Sequence, residues 1–183
     1  MKSEEVKDEI TNVLFTEAQI QKRLQELAQE VEDHYQGQDL LLVGVLKGAV
    51  VVMADFIRHL KRHAEMDWMA VSSYGSGTKS SGVVRIIKDL DQDVVNRNVL
   101  VIEDIIDSGL TLSWLVSNLR SRGARNVEVL TLLRKPDAAK VAVNVKFVGF
   151  DIPNDFVVGY GLDFAEKYRN LRDVAVLSPK MYS

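Results

Sequence analysis

Val99-Leu100-Val101-Ile102-Glu103-Asp104-Ile105-Ile106-Asp107-Ser108-Gly109-Leu110-Thr111 is the stretch on which the fold is decided. An apolar strand, Asn98 to Asp104, ends in two adjacent carboxylates. Two apolar residues and a short polar turn follow, and the turn opens directly into a helix, Leu110 to Arg122, with Leu112, Leu115, Val116 and Leu119 on one face. A continuous apolar run of this kind predicts a strand covered on both sides, hence a parallel sheet. A helix N-terminus presents unpaired N–H groups and positive dipole character, so it attracts phosphate. Gly109 lets the backbone curl close to that phosphate without a Cβ, and the hydroxyls of Ser108 and Thr111 add donors. Glu103 and Asp104 would repel a phosphate beside them. They suit ribose hydroxyls or a bound Mg²⁺, which takes oxygen ligands. The segment reads as a sugar-phosphate site, with phosphate on the turn and hydroxyls on the acids.

Outward from this stretch the chain alternates strand and helix. On the N-terminal side, Thr16 to Tyr35 reads as a helix. Thr16 and Gln19 have capping-box spacing, Gly37 is the stop, and Ile20, Leu24, Leu27 and Val31 share a face. Asp39 to Leu46 is a nearly all-apolar strand, and Val50 to His63 a helix with Met53, Phe56, Ile57 and Leu60 as its stripe. Asp67 to Tyr74 reads as a strand, Gly75 to Gly82 as a Gly/Ser/Thr/Lys loop and Val83 to Lys88 as a returning strand. On the C-terminal side, Val127 to Leu133 and Lys146 to Ile152 are strands, with short strands at Phe156 to Gly159 and Val174 to Leu177. The alternation predicts an α/β fold with a doubly wound, mostly parallel sheet flanked by helices. In such sheets ligands bind beyond the carboxyl ends of the strands, which directs attention to the residues after Leu46, Ile102, Leu133 and Ile152.

Composition sets the bounds. The 183 residues suit one domain, and 46% hydrophobic residues supply a core. With no cysteine, disulfides and thiolate metal sites are excluded. Met1 to Ile10 is charged and lacks the apolar stretch of a signal peptide, and no apolar run approaches the ~20 residues that span a bilayer. The expectation is a soluble cytoplasmic protein with no membrane partner. A net charge of −3 argues against a dedicated nucleic-acid binder. It leaves room for a local basic pocket built from Lys47, Lys135 and Arg169.

The turn resembles the phosphoribosyl-pyrophosphate signature of type I phosphoribosyltransferases, and its flanks resemble the hypoxanthine-guanine branch of that family. The resemblance runs from about Phe15 to Tyr182. Four further motifs carry it. Leu46-Lys47-Gly48 looks like the pyrophosphate loop. Ser72-Ser73-Tyr74-Gly75 looks like the start of a catalytic lid. Leu133-Arg134-Lys135-Pro136 looks like the purine-selecting segment. Asp155-Phe156-Val157-Val158-Gly159-Tyr160, through Leu162-Asp163 to Arg169, looks like a hood over the base. All stand in the family's order. Ser108 takes a place where many relatives carry threonine, and the hydroxyl is kept.

The resemblance implies a role for each matched residue. Lys47 and Gly48 would contact the pyrophosphate of 5-phosphoribosyl-1-pyrophosphate (PRPP), in a peptide held cis. Glu103, Asp104, Asp107, Ser108, Gly109, Leu110 and Thr111 would hold the sugar phosphate, with Arg169 on the pyrophosphate. Asp107 would be the catalytic base, near N7 of the purine. Lys135 would donate to the 6-oxo group, Phe156 would stack on the ring, and Val157 would read its edge. Asp163 would hold a second Mg²⁺ beside the purine, so that Glu103, Asp104 and Asp163 are the metal candidates. Taken alone, several of these have plainer readings: Lys47 as a solvated loop lysine, Asp107 as a capping residue, Phe156 as core, Asp163 and Arg169 as surface charges.

Gly75 to Ser80 superficially resembles a phosphate loop. It is neither GxGxxG nor GxxxxGK[ST], and no helix follows it. A mobile lid over about 72–82, with Ser73 and Tyr74 closing over the reaction centre and excluding water, is the better reading. The organisation expected is a single domain over 1–183, with its core over about 36–150 and a hood from the N-terminal residues and about 151–183.

The implied reaction is purine salvage: a purine nitrogen displaces pyrophosphate from C1 of the ribose, giving IMP or GMP, with Mg²⁺ on the leaving group. The implied partners are these small molecules, with no nucleic acid, and relatives form dimers or tetramers. Three rivals differ in their tests: a xanthine-preferring enzyme, a non-catalytic PRPP-sensing regulator on the same fold, and a signalling domain with Glu103-Asp104 as a phospho-acceptor pocket. A regulator would be expected to lose catalytic groups and gain a basic face, whereas Asp107, Lys135, Phe156 and Asp163 are all present in an acidic chain. The Asp-Ser-Gly-Leu-Thr turn has no use in a phospho-acceptor pocket.

Overall fold

The computed structural model describes residues 1–73 and 84–182. Its centre is a six-stranded sheet in the order β4-β3-β2-β5-β6-β7. The strands are β2 (Leu41–Leu46), β3 (Glu65–Ser73), β4 (Val84–Lys88), β5 (Asn98–Ile106), β6 (Asn126–Arg134) and β7 (Phe147–Asp151). All neighbouring pairs are parallel except β3 with β4. The doubly wound, mostly parallel sheet expected from the alternation is therefore present, and Val84–Lys88 is the returning strand. Val83, Tyr74 and the rest of the expected lid through Gly82 lie outside the described residues, while Ser72 and Ser73 close β3.

Helices cover both faces, as near-continuous apolar strands require. One core packs α1 (Glu17–Tyr35) and α2 (Ala49–His59) on Leu42, Leu100, Ile102, Leu130 and Leu132. The other packs α3 (Leu110–Ser121) on Leu41, Val43, Val99, Val101 and Val129. The odd–even split along β5 is the two-residue period of a strand. At the start of α1 the capping box forms: the Thr16 N–H donates to Gln19 Oε1 at 2.9 Å, and the Gln19 N–H donates to Thr16 Oγ1 at 3.4 Å. Among the described residues no helix is long and apolar enough to cross a membrane.

A second, three-stranded antiparallel sheet has the order β1-β9-β8, from β1 (Ile10–Phe15), β8 (Val157–Val158) and β9 (Val174–Leu177). It joins the N-terminal residues to the C-terminal segment. Asp173 fastens the join: its carboxylate accepts from the Ser3 hydroxyl and, at 2.9 Å, from the Glu17 N–H at the start of α1.

Several boundaries differ from the sequence reading. β1 is an addition, and its alternation is too weak to announce it: only half of its residues are even partly shielded, and its partner comes from the other end of the chain. The second helix ends at His59 rather than His63, because Leu60 is extended. β5 continues to Ile106, paired with Arg134 of β6, so the two acids lie inside the strand rather than at its end.

Strand order reverses between β2 and β5: from β2 the chain winds outward through β3, and from β5 the other way through β6 and β7. The crevice outside their carboxyl ends is where such a fold binds ligands. Lys47-Gly48 and the Glu103–Thr111 segment both emerge there.

Candidate active site

The turn after β5 is built as its residue types demand. Gly109 has φ +76°, in the left-handed region that a Cβ disfavours, and a Cβ there would come within 2.9 Å of the Val141 carbonyl oxygen. Val141 lies close because the Lys140 N–H donates to the Ser108 carbonyl at 3.0 Å. The first helical bond of α3 runs from the Ser113 N–H to the Gly109 carbonyl at 2.9 Å. The N–H groups ahead of it, on Leu110, Thr111 and Leu112, have no partner in the helix and face its open end. The Leu110 N–H reaches Ser108 Oγ only at 3.5 Å. Glu103, Asp107, Ser108, Gly109 and Thr111 together line a cleft of about 160 Å³ at this end.

Asp104, the next residue along β5 from Glu103, meets the loop after β2. Its Oδ1 accepts the Ile105 N–H at 2.8 Å, and its carboxylate lies so close to Gly48 that a Cβ there has no room. Gly161 of the C-terminal segment, with φ +100°, presses on the Gly48 carbonyl in the same way. The Leu46–Lys47 bond is the cis peptide of this loop. The Lys47 ammonium reaches Glu166 Oε2 at 3.1 Å, with both side chains largely exposed.

Arg169 gathers the C-terminal part of the site. Its guanidinium meets Asp163 Oδ1 at 2.8 Å and the Gly161 carbonyl at 2.8 Å. Its Nε is buried and finds no partner among the described residues. A buried N–H of this kind calls for an acceptor, and a guanidinium fork matches a diphosphate.

Asp107 and Lys135, expected at the base, are brought together: Lys135 Nζ stands 3.5 Å from Asp107 Oδ2. The lysine is buried and the aspartate 57% exposed, so the ammonium is fixed and the carboxylate is open to a ligand. Lys135 is fixed through its backbone, whose N–H donates to the Ile106 carbonyl at 2.9 Å. Beside it, Arg134 forks onto Asp151 at 2.7 and 2.9 Å, tying the ends of β6 and β7. Phe156 sits just before β8, and Val157 is buried within it. The Phe156 ring is 41% exposed, edge-on to Phe164 at 5.7 Å, with Tyr182 5.2 Å away.

The acids are electrostatically uneasy. Burial pushes the Glu103 carboxyl well above the usual carboxylate range, and neighbouring Asp104 adds to this. Burial also raises Asp104, to about 6; its own and the Ile105 backbone N–H and Arg169 pull down, while Asp163 pushes up. Both favour arrival of a cation or of hydroxyl donors. Among the described residues no three His, Cys, Asp or Glu side chains form a metal cluster.

Gly161 and Glu166 are the site residues that the sequence reading passed over. Gly159-Tyr160-Gly161 is legible as a tight turn, but that its second glycine meets Gly48 is a contact between distant parts of the chain.

An open helix N-terminus, paired strand acids and a guanidinium at the switch point of a doubly wound sheet are the arrangement of an α/β protein built to take a ligand at that edge. The model of the family described as "Phosphoribosyl transferase domain" matches residues 12–165, and the chain belongs to that family. It is 55% identical to a hypoxanthine-guanine phosphoribosyltransferase of Mycobacterium avium, over 95% of this chain and 89% of that one. To the enzyme of that name from Bacillus subtilis it is 53% identical, over 97% and 98%. Among solved structures, a hypoxanthine phosphoribosyltransferase from Staphylococcus aureus superposes with a TM-score of 0.94 at 44% identity, covering 97% of each chain.

Proposed function

We propose that the chain transfers the 5-phosphoribosyl group of PRPP to hypoxanthine or guanine, yielding IMP or GMP and pyrophosphate in purine salvage. The observation that carries this is the buried Lys135 ammonium 3.5 Å from the open Asp107 carboxylate, next to the phosphate turn. An ammonium has donors and no acceptor. It suits a 6-oxo group and mismatches the 6-amino group of adenine. The names of the relatives favour this reading over a xanthine-preferring enzyme or a regulator.

The 5-phosphate belongs on the N–H groups of Leu110 and Thr111, with the Ser108 and Thr111 hydroxyls and Gly109 shaping the turn. Glu103 and Asp104 accept from the ribose hydroxyls and stabilise positive charge developing on the sugar. The pyrophosphate is assigned to the space between Lys47-Gly48 and the Arg169 guanidinium. Phe156 stacks on the purine, and the Val157 backbone reads its edge. As a purine nitrogen bonds to C1 and the C1–O bond to pyrophosphate breaks, the ring becomes acidic. Asp107 takes the ring proton. Holding both substrates in line supplies much of the remaining acceleration.

The residues present fit Mg²⁺. Asp163 and the cation-hungry Asp104 influence one another's charge, and Mg²⁺ binds through one or two carboxylates, completing its shell with substrate oxygens and water. Asp163, Asp104 and Glu103 would hold it directly or through the sugar, and when bound it neutralises charge on the departing pyrophosphate. A cytoplasmic location and a dimeric or tetrameric assembly complete the proposal.

Pyrophosphate release from PRPP and Mg²⁺ should depend on added hypoxanthine or guanine, and a gel shift with DNA or RNA should be blank. Base-independent release, or a shift that PRPP modulates, would count for another function.

A further inference from the structure

Away from the reacting atoms, a partly buried polar network crosses from the helices to the C-terminal segment. Tyr160 is 3% exposed, and its hydroxyl donates to Asp55 Oδ2 on α2. The same hydroxyl accepts from Gln21 Nε2 on α1 at 2.9 Å, and that amide also donates to Asp55 Oδ2 at 2.6 Å. Gln21 Oε1 meets His59 Nε2 at 3.1 Å, which uses up the amide. Burial and the Asp55 carboxylate keep the Tyr160 phenol protonated, hence a donor.

The backbone around Tyr160 is unusual. Gly159, Tyr160 and Gly161 have φ of 97°, 51° and 100° in succession. A residue with a Cβ stays in that region only where its surroundings hold it. On either side, Tyr160 N–H donates to the Leu171 carbonyl at 2.8 Å and Gly161 N–H to the Arg169 carbonyl at 3.0 Å. The Gly161 carbonyl in turn accepts the Arg169 guanidinium at 2.8 Å, and Gly161 abuts Gly48. Asp55 belongs to the helix that begins at Ala49, immediately after Lys47-Gly48. One hydroxyl thus joins the helix that carries the loop to the segment that carries the fork.

We infer that Tyr160, Asp55 and Gln21 are positioning residues: the Tyr160–Asp55–Gln21 clamp sets Gly161 and Arg169 in register with Lys47-Gly48, and so shapes the diphosphate half of the site. This rests on the phosphoribosyl-transfer reading. The purine half is held separately, because β8 precedes the clamp and pairs with β9 through Val157–Val176 and Val158–Ala175. The clamp therefore acts on one substrate and not on the other, which a merely structural buried tyrosine would not do.

Tyr160→Phe keeps the ring and removes the hydroxyl. Steady-state kinetics should show KM for PRPP raised, by up to roughly tenfold, the bound set by losing a hydrogen bond to a charged group, with KM for hypoxanthine within about twofold of the parent. Asp55→Ala should reproduce the effect. Asp55→Asn, which keeps an acceptor for the hydroxyl, should restore part of it. The Tyr160→Phe/Asp55→Ala double variant should be little worse than either single change, since both break one contact. An unchanged KM for PRPP in Tyr160→Phe overturns the inference, as does an equal rise in both KM values alongside a fall in Tm. A parent protein that forms no nucleotide fails at the reaction itself, and the clamp's role falls with it.

Discussion

At the residue scale the account turns on carboxylates whose surroundings give them different work. Asp107 is exposed with a fixed ammonium beside it, so its carboxylate is open to a proton-bearing substrate. Asp107→Asn keeps the shape and hydrogen-bonding capacity of the turn but cannot accept the proton. It should lower kcat with hypoxanthine by about 10²–10⁴ and leave PRPP affinity, measured by calorimetry, nearly unchanged. Retention of most of the parental kcat, with chemistry shown to limit the rate, would move the base elsewhere. Burial raises the Asp104 carboxyl from 3.8 to about 6. Because the folded state holds this proton more tightly than the unfolded chain does, ionisation removes stability as pH rises through that window, and the full penalty applies above about 6. Asp104→Asn escapes it. The variant should melt roughly 6–12 °C higher than the parent near pH 8 without ligand. The gain should vanish below about pH 4, and Mg²⁺-dependent PRPP binding should weaken. Equal melting temperatures across the range would mean that the carboxylate is compensated in the folded protein. The pairing of Glu103 with Asp104 was legible in the sequence. How they are covered was not, because Asp104 packs against Gly48 of the loop after β2.

At the scale of elements, local signals were legible and long-range ones were not. The Thr16–Gln19 box, the Gly109 turn and the stripe of α3 are written within a few residues, and each formed. β1 escaped notice because its pairing partner β9 lies at the far end of the chain. β5 runs past its acids because β6 continues to pair with it, through Ile105–Leu133 and Ile106–Arg134. Periodicity cannot report a neighbour's length. The phosphate turn is the element with the sharpest test. Thr111 stands in the first turn of α3 and lines the cleft, so Thr111→Val removes one donor to a charged ligand at little cost to the helix. PRPP affinity by calorimetry should fall by roughly 1.5–3 kcal/mol with Tm nearly constant. An unchanged affinity would show that the hydroxyl points away from the phosphate.

At the scale of the molecule, the site is assembled from three places: the loop after β2, the strand–turn–helix of β5 and α3, and the C-terminal segment fastened by β1, β8 and β9. The alternation of strands and helices made the sheet and its ligand edge legible before any contact was known. The registration of the C-terminal segment on Gly48 was not, because it depends on two glycines meeting across the fold. The central claim is that this assembly selects a 6-oxopurine and joins it to the phosphoribosyl group, and a competition tests it most directly. Equimolar hypoxanthine, guanine and adenine are incubated with the protein, PRPP and Mg²⁺, and the nucleotides formed are separated and identified. The expected products are IMP and GMP, with AMP suppressed by a factor on the order of 10⁴ at best, the scale of discrimination when a buried donor is left facing a donor. AMP in comparable yield would contradict it.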